Sequence, residues 1–148
     1  MSDDAIGRPM EILLIEDSLM AARLATGALA KSGIRHRLTW ISDGQEARNF
    51  LMQTGKFARA PQPDLILLDL TLPGVDGRTL LHEIREQPLL KLVPIVIMTG
   101  TAGEHDQEEF QRLDVQGFLV KPVDLVKFLE LVETLKGFWK SDMLIRQS

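Results

Sequence analysis

The sequence predicts an α/β fold: a three-layer, doubly wound sheet of five parallel strands with helices on both faces. Three observations predict it. Short apolar runs of strand length alternate with amphipathic stretches of helix length along the whole chain. The best of these runs are compact and continuously apolar, as strands buried on both faces must be. Four of the five runs also end in a polar or charged residue, and such a sheet would collect those residues at one edge.

The elements follow in order. Glu11-Ile12-Leu13-Leu14-Ile15 is the first strand and runs into Glu16 and Asp17. Ser18 is the expected N-cap of an Ala- and Leu-rich helix to Lys31, which Gly33 ends. Arg35 to Ile41 is a less apolar second strand, suited to a sheet edge, and Trp40 should pack on the sheet. A second helix spans Asp43 to Gln53, and the Gly- and Pro-containing stretch from Thr54 to Pro63 reads as a long loop. Leu65 to Leu68 is the third strand and delivers Asp69. Pro73-Gly74 marks a turn, and Asp76 caps a helix to about Glu86. The fourth strand, Ile95 to Met98, ends at Thr99-Gly100, and a polar helix covers about Glu104 to Leu113. Gly117 to Val120 is the fifth strand, ending at Lys121-Pro122. An extended last helix begins near Asp124 and reaches about Trp139.

The 148 residues fit one domain, read as a flexible arm over 1–9, the domain over 10–140 and a tail over 141–148. A 45% hydrophobic content supports a full core. With no cysteine, disulfides and thiolate metal sites are excluded, and a cytoplasmic location is expected. A net charge of −4 without a basic face argues against a nucleic-acid partner. No run reaches transmembrane length, and the first nine residues lack the order of a signal peptide, so no membrane association is expected.

Glu16, Asp17, Asp69, Thr99 and Lys121 are the residues the strand ends bring together. Three neighbouring carboxylates repel one another and call for a cation. With oxygen ligands and no His or Cys cluster, that cation is Mg²⁺ or Mn²⁺. His36, His82 and His105 are scattered and suggest no metal site. A hard divalent ion beside a carboxylate nucleophile suggests phosphoryl transfer. Lys121 adds a mobile positive charge and Thr99 a hydroxyl.

As a set, Glu16-Asp17, Leu67-Leu68-Asp69, Leu72-Pro73-Gly74, Asp76-Gly77, Thr99, Phe118 and Lys121-Pro122 resemble the receiver domains of two-component response regulators. The resemblance covers nearly the whole chain and implies a flavodoxin-like strand order 2-1-3-4-5. It makes Asp69 the phosphoacceptor, Asp17 a direct metal ligand with Glu16 its partner, and the Thr71 backbone carbonyl part of the metal shell. Thr99 and Phe118 become the switch pair, Lys121 the phosphoryl-binding lysine, and the bond before Pro122 a cis peptide. On its own, Phe118 would read as plain core. The Gly55 to Pro63 loop, the Pro61-x-Pro63-Asp64 approach to the third strand and the terminal Phe138-Trp139 resemble stand-alone regulators of phytochrome-type light-sensing histidine kinases. Such a kinase is then the implied partner and phosphodonor.

The implied chain is no enzyme beyond its own phosphorylation and dephosphorylation. Both a terminal regulator and a phosphorelay shuttle fit. A degenerate receiver acting as a phosphorylation-independent binding module is the alternative, opposed by the complete set of site residues. A phosphatase with an aspartyl nucleophile would need a second acid where Thr71 stands. On the last helix, Leu125, Phe128, Leu129, Val132, Lys136 and Trp139 form a stripe toward the sheet, while Leu131, Leu135 and Phe138 spill to one side. Those three are read as a homodimer seam in preference to a wide core face covered by Met143-Leu144-Ile145.

Overall fold

The structure is a computed structural model and describes residues 8–100, 103–121 and 124–135, the side chains of 104 and 105 excepted. Its strands are β1 (Met10–Ile15), β2 (His36–Ile41), β3 (Leu65–Asp69), β4 (Ile95–Thr99) and β5 (Gly117–Val120). Its helices are α1 (Leu19–Lys31), α2 (Gly44–Met52), α3 (Gly77–Glu86), α4 (Glu104–Arg112) and α5 (Leu125–Leu135). All strand pairs are parallel, in the order β2-β1-β3-β4-β5, as expected. The less apolar β2 does lie at an edge.

Side chains alternate across each strand, and here both faces are apolar. Ile12, Leu14, Leu65, Leu67, Val96 and Met98 face α1 and α5. Leu13, Ile15, Ile66, Leu68, Ile95 and Ile97 face α2 and α3, with Phe110 of α4. Alanines at 22, 25 and 28 give α1 a small buried face.

The helix starts are set by local chemistry. Ser18 Oγ accepts from Ala21 N–H, and the Asp43 and Asp76 carboxylates accept from Glu46 and Arg78 N–H. Gly33, at φ 76°, follows α1 in the left-handed region that favours glycine. The loop after α2 holds a short 3₁₀ turn, Gly55–Phe57, whose Phe57 ring packs edge-on against Phe50 at 5.4 Å. Gln53 ties the loop back through its side-chain amide to the Ala60 carbonyl.

Two arginines fasten the end of the sheet opposite the strand C-termini. Arg8 makes two bonds to the Asp64 carboxylate, at 2.6 and 2.9 Å. Arg85 donates to the carbonyls of Leu113, Lys91, Val93 and Asp114, joining the turns after α3 and α4. Burial is the main influence on Arg85 and lowers its pKa, with Asp114 opposing.

The last helix corrects one residue of the dimer expectation, Leu135. Phe128, Val132 and Leu135 form its buried stripe, and Leu135 is 1% exposed within the core. Spacings of four and three residues keep these side chains on one face. Leu131 is partly buried and packs toward β5, its Cδ1 2.7 Å from where a Cβ on Gly117 would stand. Leu135 is therefore not available as a seam residue. Phe138, Trp139 and the Met143-Leu144-Ile145 segment lie outside the described residues, as do Pro122 and residues 1–7. Among the described residues, no helix is long and apolar enough to cross a membrane.

Candidate functional site

The sheet register gathers the candidate residues. Ile15 lies opposite Ile41 and Leu68, Asp69 opposite Met98, and Thr99 opposite Val120. The residues just past these positions therefore share one edge. Glu16 and Asp69 are almost wholly buried there, Thr99 nearly so, and Asp17 is exposed. One carboxylate oxygen from each of Glu16, Asp17 and Asp69 lies within 4.8 Å of the other two. The Lys121 ammonium sits 3.0 Å from Asp69 Oδ2 and 2.7 Å from Glu16 Oε1.

The remaining bonds fix these groups. Glu16 Oε2 accepts from Ser18 N–H at 2.8 Å, and Asp69 Oδ1 accepts from Thr71 N–H at 2.9 Å. Lys121 N–H donates to the Thr99 carbonyl at 2.7 Å, so β4 and β5 set the height of the lysine. The turn after Asp69 is held from two sides. Gly77 N–H donates to the Leu70 carbonyl and Gly44 N–H to the Pro73 carbonyl. A side chain on Gly77 would stand 2.2 Å from the Asp69 carbonyl oxygen, and one on Gly44 would stand 1.8 Å from that of Val75. Only glycine permits these approaches.

Burial, the largest influence, holds the Glu16 carboxyl above its ordinary value. Bonds from Lys121 and Ser18 oppose that shift, and Asp69 adds to it. For Lys121, burial works downward, but Glu16 and Asp69 together outweigh it and leave the ammonium raised. Three carboxylates thus face one ammonium. Glu16 Oε1 is buried, and the Lys121 ammonium is the cation it meets, at 2.7 Å. Three clustered carboxylates facing a single ammonium, an all-oxygen donor set with excess negative charge, fit a hard divalent cation, Mg²⁺ or Mn²⁺.

The structure brings together Glu16, Asp17, Asp69, Thr99 and Lys121, with Thr71 exposed in the turn directly after Asp69. Phe118 is 36% exposed on β5, its ring 5.7 Å from that of the buried Phe110, so it is not plain core. Trp40 does not simply pack on the sheet. It is 43% exposed, and its indole N–H donates to the Glu16 carbonyl at 2.6 Å. Sequence reasoning also missed a clamp between α3 and α4. Arg78 bonds both Asp106, at 2.8 Å, and Glu109, and His82 reaches Glu109 at 2.8 Å. The alternation of acids and bases at helical spacing on two helices was its only trace in the sequence.

Comparison with known proteins gives a consistent result. The family model described as response regulator receiver domain matches residues 12–133. The response regulator Rcp1 of Synechocystis sp. is 40% identical over 139 residues, or 94% of each chain. Its Mn²⁺-bound crystal structure superposes with a TM-score of 0.76 at 38% identity, covering 94% of this chain and 100% of that one. The phosphorylated cyanobacterial phytochrome response regulator RcpA gives a TM-score of 0.76 at 36% identity, covering 95% and 100%. The bacteriophytochrome response regulator RtBRR gives 0.79 at 32% identity, covering 90% and 81%.

Proposed function

The chain belongs to the response regulator receiver family, and on that premise we propose that Asp69 accepts a phosphoryl group from a phytochrome-type sensor histidine kinase. The observation that carries the proposal is the buried Asp69 carboxylate, 3.0 Å from the Lys121 ammonium and clustered with the carboxylates of Glu16 and Asp17. Two of the similar solved structures are of a cyanobacterial phytochrome response regulator and a bacteriophytochrome response regulator, which supports the choice of donor.

Glu16, Asp17 and Asp69 would hold the cation. When bound, Mg²⁺ or Mn²⁺ neutralises phosphoryl oxygens as negative charge gathers on them. The protein supplies the rest. Asp69 is the nucleophile: its carboxylate oxygen forms the new P–O bond while the P–N bond to the kinase imidazole breaks, and the imidazole leaves with the bonding pair. Lys121 then pairs with a phosphoryl oxygen instead of the Asp69 carboxylate. The Thr99 hydroxyl turns to a second oxygen, and Phe118 follows from its half-exposed place on β5. The exposed Phe118 and Val120 of β5 and Val126 of α5 form the surface that changes. This is a two-state element biased by one local charge event.

The test is intact-protein mass after incubation with acetyl phosphate and Mg²⁺. Wild type should gain one phosphoryl group, lost with EDTA, and Asp69→Asn none. Equal labelling of Asp69→Asn would refute the acceptor. Failure of wild type to bind beryllofluoride would refute phosphoryl transfer. Transfer from a phosphorylated phytochrome-type kinase, compared with a kinase of another sensor class, tests the donor. Equal rates from both would remove the phytochrome assignment.

A further inference from the structure

The ladder between β1 and β2 outlasts the strands by one bond. Glu16 N–H donates to the Ile41 carbonyl at 3.1 Å. In a parallel ladder that ran on, the Glu16 carbonyl would next accept from Asp43 N–H. β2 stops at Ile41, however, and Asp43 turns aside to cap α2. The carbonyl of a wholly buried residue is left in need of a donor. The Trp40 indole supplies it at 2.6 Å, from the very strand that ran out.

That carbonyl belongs to the peptide joining Glu16 to Asp17. A peptide is planar, so fixing its oxygen fixes the direction in which Asp17 leaves the strand. Glu16 is then tied at its N–H by Ile41, at its carbonyl by Trp40 and at Oε2 by Ser18 N–H. Asp17 is exposed, so burial does not place its carboxylate. The ring of Trp40 remains partly in water, so burial does not explain a tryptophan at this edge position either.

We infer that Trp40 is a positioning residue of the phosphoryl site: its indole N–H holds the Glu16–Asp17 peptide so that the Asp17 carboxylate meets Glu16 and Asp69 around a divalent cation. The inference rests on the functional reading above and assigns a role to a residue that reading does not use.

Two variants remove the donor. One is Trp40→Phe. The other places benzothienylalanine at position 40 in a Trp139→Phe background, keeping the ring shape and exchanging N–H for sulfur. Amide hydrogen exchange at Asp17 and Ser18 is measured in EDTA, and Mg²⁺ affinity by calorimetry. Loss of one such bond should speed exchange at these amides about three- to tenfold and weaken Mg²⁺ binding by about the same factor. Exchange within β3 and β4 should stay as in wild type. Unchanged exchange and affinity in both variants would overturn the inference. So would faster exchange with unchanged Mg²⁺ affinity, since the bond would then be structural only, and so would a uniform loss of protection across the sheet. Wild type that binds no Mg²⁺ would sink the functional reading and the inference with it. Wild type and variants that bind equally well would sink the inference alone.

Discussion

Replacing Gly77 with alanine would put a methyl carbon 2.2 Å from the Asp69 carbonyl oxygen, 2.6 Å from Leu70 Cα and 2.9 Å from the Leu70 carbonyl carbon. All three are backbone atoms, so no rotamer change can relieve the contact. The start of α3 and the end of β3 must separate by roughly 1 Å, and overpacking of this kind costs about 1–3 kcal/mol. Asp69 is the last residue of β3, so part of that displacement falls on the proposed phosphoryl acceptor. A misplacement of about 1 Å at a reacting group can cost on the order of a hundredfold in rate. Gly77→Ala should therefore lose about 2 kcal/mol in urea unfolding and about ten- to a hundredfold in the initial rate of labelling by acetyl phosphate. The control is Gly27→Ala on α1, where a Cβ meets nothing within 4 Å. That change should raise stability by up to about 1 kcal/mol and leave labelling alone. A Gly77→Ala protein that is less stable yet labelled at the wild-type rate would show that this contact does not set the position of Asp69.

Other outcomes follow from the same geometry. Because burial raises the folded-state pKa of Glu16, the folded chain binds that proton more tightly than the unfolded chain does. This stabilisation is fully present below the ordinary value of 4.5 and is lost as pH rises through the raised value. Metal-free wild type should thus lose stability relative to Glu16→Gln as pH is raised from 4.5, and Mg²⁺ should restore it; parallel urea midpoints in EDTA would contradict this. Leu135→Ala should cost about 2–5 kcal/mol, as expected for a core leucine, whereas Val126→Ala on the exposed face of α5 should stay within about 0.5 kcal/mol. Equal, small losses in urea unfolding would return Leu135 to the surface.

Much of this was legible because it is local. Ser18, Asp43 and Asp76 announce helix starts through side chains that reach only two or three residues along the chain. The alternation of runs fixed the strand count, and the polar ends of β1, β3, β4 and β5 placed Glu16, Asp69, Thr99 and Lys121 on one edge. The misreadings concern partners distant in sequence. The face of α5 is decided by α1 and β5, and a pattern extended toward Lys136 and Trp139 rotated Leu135 out of the core it occupies. Trp40 looked like sheet packing because its partner is a main-chain carbonyl 24 residues away, and no residue type encodes that. Arg85 was likewise invisible as a hub, since all its strong partners are carbonyls exposed by turns.

The clamp at the far end of β3 has a mechanical consequence. Asp64 holds both terminal guanidinium nitrogens of Arg8, accepts from Glu11 N–H at 2.8 Å and donates its own N–H to the Glu11 carbonyl at 2.7 Å. The rod that carries Asp69 is thus bolted at its base to the neighbouring strand. Under the proposed function, charge added at its tip would load a rod whose base is fixed, with little freedom to slide. The displacement would then fall on Thr99 and Lys121 at the tips of β4 and β5, and a fixed foot at one end of the sheet would make the opposite end the part that yields.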